Sequence, residues 1–407
     1  MINDNHVYVV DGTRSAIGSY GGSLAQTRPD DLASEVIKAL VAKHPGMARD
    51  IDEVVLGCAN QAGEDNRNIA RMASLLSGLD QSVPAMTLNR LCASGLDAVI
   101  YAATKIKAGD CDVVLAGGVE SMSRAPLVLS KSEQAFDKGV QLFDTTLGWR
   151  FVNPHLAESY GCDALGITAE NVARDYGITR EAQDRFALAS QQKAKQAIGV
   201  GRLAKEITPL TVRLDRKNQV VFEQDEFPRL TPLDKLSRLK PAFLADGTVT
   251  AGNASGINDG AAVLLIASGR YVKRHQLKPI AEIAESAVAG VAPSVMGIGP
   301  VASTEKLLQK TGYTLNDFDV IEVNEAFAAQ VLAALKVWQI DADDPRVNPN
   351  GGAIALGHPL GMSGARLVLS AAIELSERQL RTALVTMCVG VGQGVSLVMK
   401  GIEQEQH

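Results

Sequence analysis

The chain has 407 residues, 46% hydrophobic and 4% aromatic, which is enough for two or three domains around a sizeable core without covalent staples. A formal net charge of −6 argues against general nucleic-acid binding, so a phosphate-bearing ligand would need a local basic patch. The five cysteines, at positions 58, 92, 111, 162 and 388, form no CxxC pair and leave one over in any full disulfide scheme, which fits a reducing compartment and the cytoplasm best.

In chain order, Val7 to Val10 opens a first strand with no basic start, apolar signal core or cleavage pattern before it, and no later run approaches membrane-spanning length. Neither export nor membrane insertion is expected. A strand over Asp52 to Cys58 precedes a helix from Asn68 to Leu76. Asn89-Arg90-Leu91-Cys92 then opens a second helix, which leads to a strand over Asp112 to Gly118. Residues 120 to about 251 break this pattern and read as an inserted cap, with irregular sequence around Gly148 to Pro154 and a charged helix from Thr179 to Ala197. A glycine-rich return, Gly247 to Gly260, precedes an apolar strand, Ala261 to Ala267, and its small residues suit a narrow ligand channel.

The pattern then repeats. Asp317 to Val323 reads as a strand, Asn324-Glu325-Ala326-Phe327 opens a helix, His358 stands before another helix readable from Ser363, and Ala383 to Cys388 closes as a strand. Alternating strands and helices, stated twice with an insertion, indicate α/β layers in two similar halves: 1–272, carrying the insertion 120–251, and 273–407. Cys92 and His358 occupy corresponding places, so a pseudo-twofold pairing would bring two helix N-termini to one centre.

A thiol at a helix N-terminus is a candidate nucleophile, because the partial positive charge there stabilises a thiolate and lowers its pKa. As a lone cysteine, Cys92 reads more readily as a small buried hydrophobe. Two further segments favour the first reading: the glycine-flanked His358 within Asn348 to Arg366, and Cys388 at the end of a strand followed by Gly390, Gly392 and Gly394. Asn324 alone fits a helix N-cap as well as a site residue. Arg229, Lys235, Arg238 and Lys240 form either a phosphate patch or a solvated charged face. No GxxxxGK[ST] loop and no strand-GxGxxG-helix unit appears, which disfavours nucleotide-hydrolysing and nicotinamide enzymes. No residue cluster calls for a metal.

Four motifs in order resemble the thiolases: Cys92 in Asn-Arg-Leu-Cys-Ala-Ser-Gly, Asn324 in Asn-Glu-Ala-Phe-Ala, His358 in Gly-His-Pro-Leu-Gly, and Cys388 in Cys-Val-Gly-Val-Gly-Gln-Gly. Gly57 to Asn68 and Asp144 to Phe151 resemble the branch acting on 3-oxoadipyl-CoA. Ala164-Leu165-Gly166-Ile167 departs from that branch and from acetoacetyl-CoA thiolases, so a pocket-lining position should differ from both.

The resemblance implies a five-layered α-β-α-β-α core with a loop domain, a homotetramer or homodimer, and coenzyme A as co-substrate with no permanent cofactor. It implies Cys92 as nucleophile, His358 as base and oxyanion donor, Cys388 as general acid and base with a pKa not far above neutrality, Asn324 holding an oxyanion water, and Gly390 as backbone oxyanion donor. By the same likeness Phe243, Ala251 and Ser255 line the pantetheine channel, Arg229 meets the phosphate end, and Met296 and Phe327 border the acyl pocket. A dicarboxylate chain also needs a cation for its distal carboxylate; Arg150 is the candidate, with a structural ion pair as the alternative. Acetoacetyl-CoA and broader 3-ketoacyl-CoA thiolases share the chemistry. A decarboxylating ketosynthase would carry a second histidine at the place of Asn324, and a silent acyl-CoA carrier need not keep all four motifs.

Overall fold

The computed structural model describes residues 2–402. Ten strands form one hydrogen-bonded sheet: β1 Val7–Arg14, β2 Gly18–Ser19, β3 Glu53–Gly57, β4 Ala85–Leu88, β5 Val113–Ser121, β6 Asn258–Ser268, β7 Ala281–Gly290, β8 Val320–Val323, β9 Thr382–Val389 and β10 Gln393–Lys400. Their order is β8-β9-β10-β7-β1-β6-β5-β3-β4, with β2 beside β6.

The repeat is visible in the pairings. In the first half β3 and β5 are parallel, β5 and β6 antiparallel, β6 and β1 antiparallel. In the second, β8 and β9 are parallel, β9 and β10 antiparallel, β10 and β7 antiparallel. The equivalent strands β1 and β7 then pair antiparallel, Val7 opposite Ile283, as a twofold relation between the halves requires. The counterpart of β4 is reduced to a single parallel bridge, Ile321 to Val347.

Side-chain alternation sorts the core into layers, since successive residues of a strand face opposite sides. Val55, Val114, Ala116, Leu264 and Ile266 of the first half, with Val385, Met387, Val395 and Leu397 of the second, point into one central cluster. That cluster is filled by helices Ser94–Ala108 and Leu360–Glu377, which pack on each other. The intervening residues Val54, Leu56, Leu115, Val263 and Leu265 face an outer core under helices Pro29–Lys43 and Ile69–Leu76. Ile321, Val323, Leu384 and Val398 face another outer core, under helices Gly299–Thr311 and Ala328–Trp338. The result is α-β-α-β-α. Leu360–Glu377 lies in the middle layer and is buried almost all round, Arg366 included, as an interior helix must be.

The insertion between β5 and β6 carries hairpins Leu127–Leu129/Leu142–Asp144 and Leu210–Arg213/Gln219–Phe222 and helices Leu165–Tyr176 and Arg180–Gly199. The Thr179 side chain accepts from Ala182 N at 3.2 Å and caps the second of these helices. Both helices pack against the Ala328–Trp338 helix, so an excursion from the first half covers the second. Two helix starts differ from the sequence reading. The run Asn324 to Phe327 is not helical: Phe327 is held extended by pairing with Ala254, and the helix begins only at Ala328. Pro359 caps the other helix itself, its carbonyl accepting from Met362 and Ser363, so that helix begins at Leu360 and not Ser363. Among the described residues, no helix is long and apolar enough to cross a membrane.

Candidate active site

The crossing of helices Ser94–Ala108 and Leu360–Glu377 sets the site, and glycine makes the crossing close. A Cβ on Gly95 would lie 2.5 Å from the carbonyl oxygen of Gly361, and one on Gly118 would lie 1.9 Å from the same atom, so no side chain is tolerated at either place. The approach brings two helix N-termini together. Cys92 sits in the one-turn 3-10 segment Leu91–Ala93 leading into the first helix, and His358 stands two residues before the second. Both are buried, at 6% and 4% exposure.

Hydrogen bonds fix the imidazole and its tautomer. Ser363 Oγ donates to Pro359 O at 2.8 Å, so toward His358 Nδ1, 2.6 Å away, it acts as acceptor. Nδ1 therefore carries the proton and Nε2 keeps its lone pair, facing Asn324 Nδ2 at 3.3 Å. The His358 N–H donates to Asn258 Oδ1 at 3.0 Å, which anchors the loop to β6. Asn324 Oδ1 is buried without a partner, a place where an acceptor for a bound water stands ready. Cys388 is the penultimate residue of β9, at 1% exposure. The Gln330 amide is satisfied with its nitrogen donating to Asn324 O at 3.0 Å and its oxygen accepting from Val331 N at 2.9 Å. That orientation turns its nitrogen to the Cys388 sulfur, 3.4 Å away.

Electrostatics reverse two expectations, for Cys92 and for Cys388. Burial pushes the Cys92 thiol up to about 11; the Gly390 N–H and its own N–H offset part of this, and the Glu120 charge adds to it. The favourable helix terminus is present, but desolvation outweighs it. Burial, seconded by the Arg366 charge, pushes His358 down to about 3. Cys388 is likewise driven well up, by burial first and by Cys92 second, and not held near neutrality. The resting trio is therefore neutral: two thiols and an imidazole.

Cys92 and Gly390 open onto a cavity of about 430 Å³ whose wall also includes Met296, Arg150, Leu165 and Ala164. The first two residues of the departure noted at Ala164 to Ile167 thus lie on the cavity, and Phe243 packs directly over Gly166, where a Cβ would sit 2.2 Å from its ring. Phe243 meets Phe327 edge-on at 6.3 Å between centroids, and Phe327 shares a buried cluster with Met296 and Cys388. Arg229 and Ala251 line a second cavity of about 350 Å³, where Arg229 Nη2 donates to Ala251 O at 2.8 Å and its guanidinium lies 4.4 Å from the Phe227 ring centre. Lys235, Arg238 and Lys240 are not on that wall. Ser255, on neither wall, donates its N–H to Ala326 O at 3.0 Å.

The sequence reading missed Ser363, Gln330 and Glu120. Glu120 accepts from Ala59 N, Asn60 N and Gly361 N at 2.9, 3.0 and 2.7 Å, tying the first half's loop to the turn after His358. Its ligand atoms lie within 4.8 Å of those of Cys58 and Asp65, and its oxygens are taken by these three N–H groups. Ser363 falls inside the glycine-rich His358 segment, a signal that was available. Gln330 and Glu120 meet their partners only in the fold.

Comparison with known proteins agrees with this geometry. The thiolase N-terminal domain model matches residues 7–270 and the thiolase C-terminal domain model residues 277–401. The beta-ketoadipyl-CoA thiolase of Pseudomonas aeruginosa is 55% identical over 97% of this chain and 99% of its own. The 3-oxoadipyl-CoA/3-oxo-5,6-dehydrosuberyl-CoA thiolase of Escherichia coli K12 is 53% identical over the same shares, 97% and 99%. The crystal structure of the Bacillus anthracis acetyl-CoA acetyltransferase superposes with a TM-score of 0.91 at 40% identity, covering 99% of this chain and 100% of that one. With the Cys92 loop and the His358 loop brought to one helix crossing, and both family models matched in order, the chain belongs to the thiolase family.

Proposed function

We propose that the protein cleaves 3-oxoadipyl-CoA with coenzyme A to acetyl-CoA and succinyl-CoA, through an acyl-Cys92 intermediate, and runs the reverse Claisen condensation with the same groups. The observation that supports this is the close helix crossing that brings the Cys92 loop, with the Gly390 N–H beside the thiol, to the loop of His358, whose Nε2 is left unprotonated.

The neutral resting state dictates the order of events. His358 takes the Cys92 proton as the sulfur attacks the 3-keto carbonyl, so charge appears only as the oxyanion forms. That oxyanion is held by the N–H groups of Cys92 and Gly390, each worth about 3 kcal/mol of barrier. The C2–C3 bond then breaks, its electron pair passing to the thioester enolate, which His358, now protonated at Nε2, and a water on Asn324 stabilise. Cys388 protonates C2 and acetyl-CoA departs. Incoming coenzyme A gives its thiol proton to Cys388 and takes the acyl group from Cys92, and the displaced Cys92 thiolate recovers its proton from His358, which restores the neutral resting state. The amide nitrogen of Gln330 facing the Cys388 sulfur favours its transient thiolate.

The Arg229 cavity takes the phosphate-bearing end of coenzyme A, with Phe243, Ala251 and Ser255 along the pantetheine path and Met296 and Phe327 bordering the acyl group. The chain works in the cytoplasm as two halves, 1–272 and 273–407, and assembles as a homotetramer or, at the smaller size, a homodimer. The unpaired edge of β4 and the hairpin Leu127–Asp144, with Leu127, Leu129 and Leu142 each more than 60% exposed, support self-association. Acetoacetyl-CoA is the second reading for substrate, because the Bacillus anthracis structure shares the fold at 40% identity. Thiolysis of 3-oxoadipyl-CoA, acetoacetyl-CoA and a medium-chain 3-oxoacyl-CoA, with Cys92→Ala as blank, tests the proposal. Preference for 3-oxoadipyl-CoA supports it, preference for acetoacetyl-CoA replaces the substrate, and no acetyl-CoA release leaves a silent carrier.

A further inference from the structure

The Cys92 cavity carries a cation that the fold itself does not neutralise. Among the described residues Arg150, half-buried in the inserted region, is the one lysine or arginine on its wall, which Leu147, Trp149 and Phe151 also line. Among the described residues it pairs with no carboxylate: its hydrogen bond is from Nη2 to Asn60 Oδ1 at 3.0 Å. The structural ion pair that was the alternative for this residue is therefore absent among the described residues. The one acid on the same wall, Asp163, accepts from Asn171 Nδ2 at 3.1 Å.

Asn60 is itself locked. Its Nδ2 donates to Thr145 O and Thr145 Oγ1, both at 3.1 Å, and its backbone N–H donates to Glu120 Oε1 at 3.0 Å. With both amide hydrogens committed to oxygens, Oδ1 has to face the guanidinium, and it orients Arg150 without cancelling its charge. One of five guanidinium donors is spent, and the rest of the planar fork is free for a carboxylate. A half-buried guanidinium with donors still free binds an anionic chain end in preference to a neutral one.

We infer that Arg150, positioned by Asn60, is the receptor for the distal carboxylate of the acyl chain, so that the enzyme selects 3-oxoacyl-CoA substrates ending in a carboxylate. This rests on the thiolase reading above and adds the residue that sets its substrate class. Asn60 acts through Arg150, and Arg150 touches the substrate a few carbons beyond the carbonyl that Cys92 attacks.

The test uses the enzyme with 3-oxoadipyl-CoA, 3-oxohexanoyl-CoA, which keeps the six-carbon chain but ends in a methyl in place of the carboxylate, and acetoacetyl-CoA. Arg150→Met is expected to lower kcat/KM for 3-oxoadipyl-CoA by roughly 10- to 100-fold, mostly through KM, as loss of a charge-assisted bond does. Acetoacetyl-CoA should stay within about threefold, and 3-oxohexanoyl-CoA should gain relative to 3-oxoadipyl-CoA. Arg150→Lys, which keeps the charge but not the fork, should fall between. Equal losses on 3-oxoadipyl-CoA and 3-oxohexanoyl-CoA, or no loss on either, would overturn the inference while leaving the thiolase reading intact. A wild-type enzyme inert toward all three would overturn that reading, and the inference with it.

Discussion

Replacing Ser363 with alanine removes one oxygen from the site, and its effect can be worked through. The Pro359 carbonyl keeps a partner, because Ser363 N still donates to it at 3.0 Å in the helix. The loss therefore falls on His358 Nδ1–H, whose acceptor at 2.6 Å disappears in a place closed to water, with His358 at 4% exposure and Ser363 at 1%. Leaving a buried donor unpaired costs roughly 1–3 kcal/mol, or about 5- to 150-fold in the population of the Nδ1–H tautomer. The other tautomer puts the hydrogen on Nε2, where the base is needed. Thiolysis kcat/KM and the rate at which iodoacetamide alkylates Cys92 should both fall within that range, with a small drop in unfolding temperature. A Ser363→Ala enzyme within twofold of wild type in both assays would refute the tautomer assignment.

Gly95→Ala places a Cβ 2.5 Å from Gly361 O, a backbone atom that cannot swing aside. Overpacking of this kind costs about 1–3 kcal/mol, so a lower midpoint in urea and a larger loss in kcat are expected, since the same crossing spaces Cys92 from His358. Glu322 is buried at 1% exposure with both carboxylate oxygens unpartnered, and burial raises it from 4.5 to about 8 even though the Arg366 charge opposes the shift. The folded state thus binds this proton more tightly than the unfolded chain, so the contribution is present below pH ~4.5 and lost as pH rises to ~8. Glu322→Gln should gain on the order of 4 kcal/mol over wild type between pH 5 and pH 9. Denaturant titrations at the two pH values measure this, and parallel shifts would count against it.

Much of the candidate site was readable because the residues it gathers lie in short contiguous motifs. Cys92, Asn324, His358 and Cys388 each sit beside small residues at an element boundary, and the repeat of strand, helix and strand placed Cys92 and His358 at equivalent positions before any fold was known. The alternation of Val54, Val55 and Leu56 between two cores follows from period two alone. Other features arise between distant residues. Asn60 meets Arg150 across 90 positions, and Glu120 reaches Gly361 across 241. The pairing of β1 with β7, which makes one sheet of two halves, carries no local signature. The direction of the Cys92 shift was misread because a helix terminus is visible in sequence, whereas the burial that outweighs it belongs to the packed molecule.

The central claim is that the acyl group passes through Cys92. Wild-type enzyme mixed with 3-oxoadipyl-CoA in the absence of free coenzyme A, quenched in acid and digested, should yield the Cys92 peptide with the mass of an added succinyl group, together with an equivalent of acetyl-CoA. Coenzyme A added before the quench should discharge the label, and Cys92→Ala should never acquire it. Label on another residue, or acetyl-CoA release with Cys92 unmodified, would contradict the mechanism.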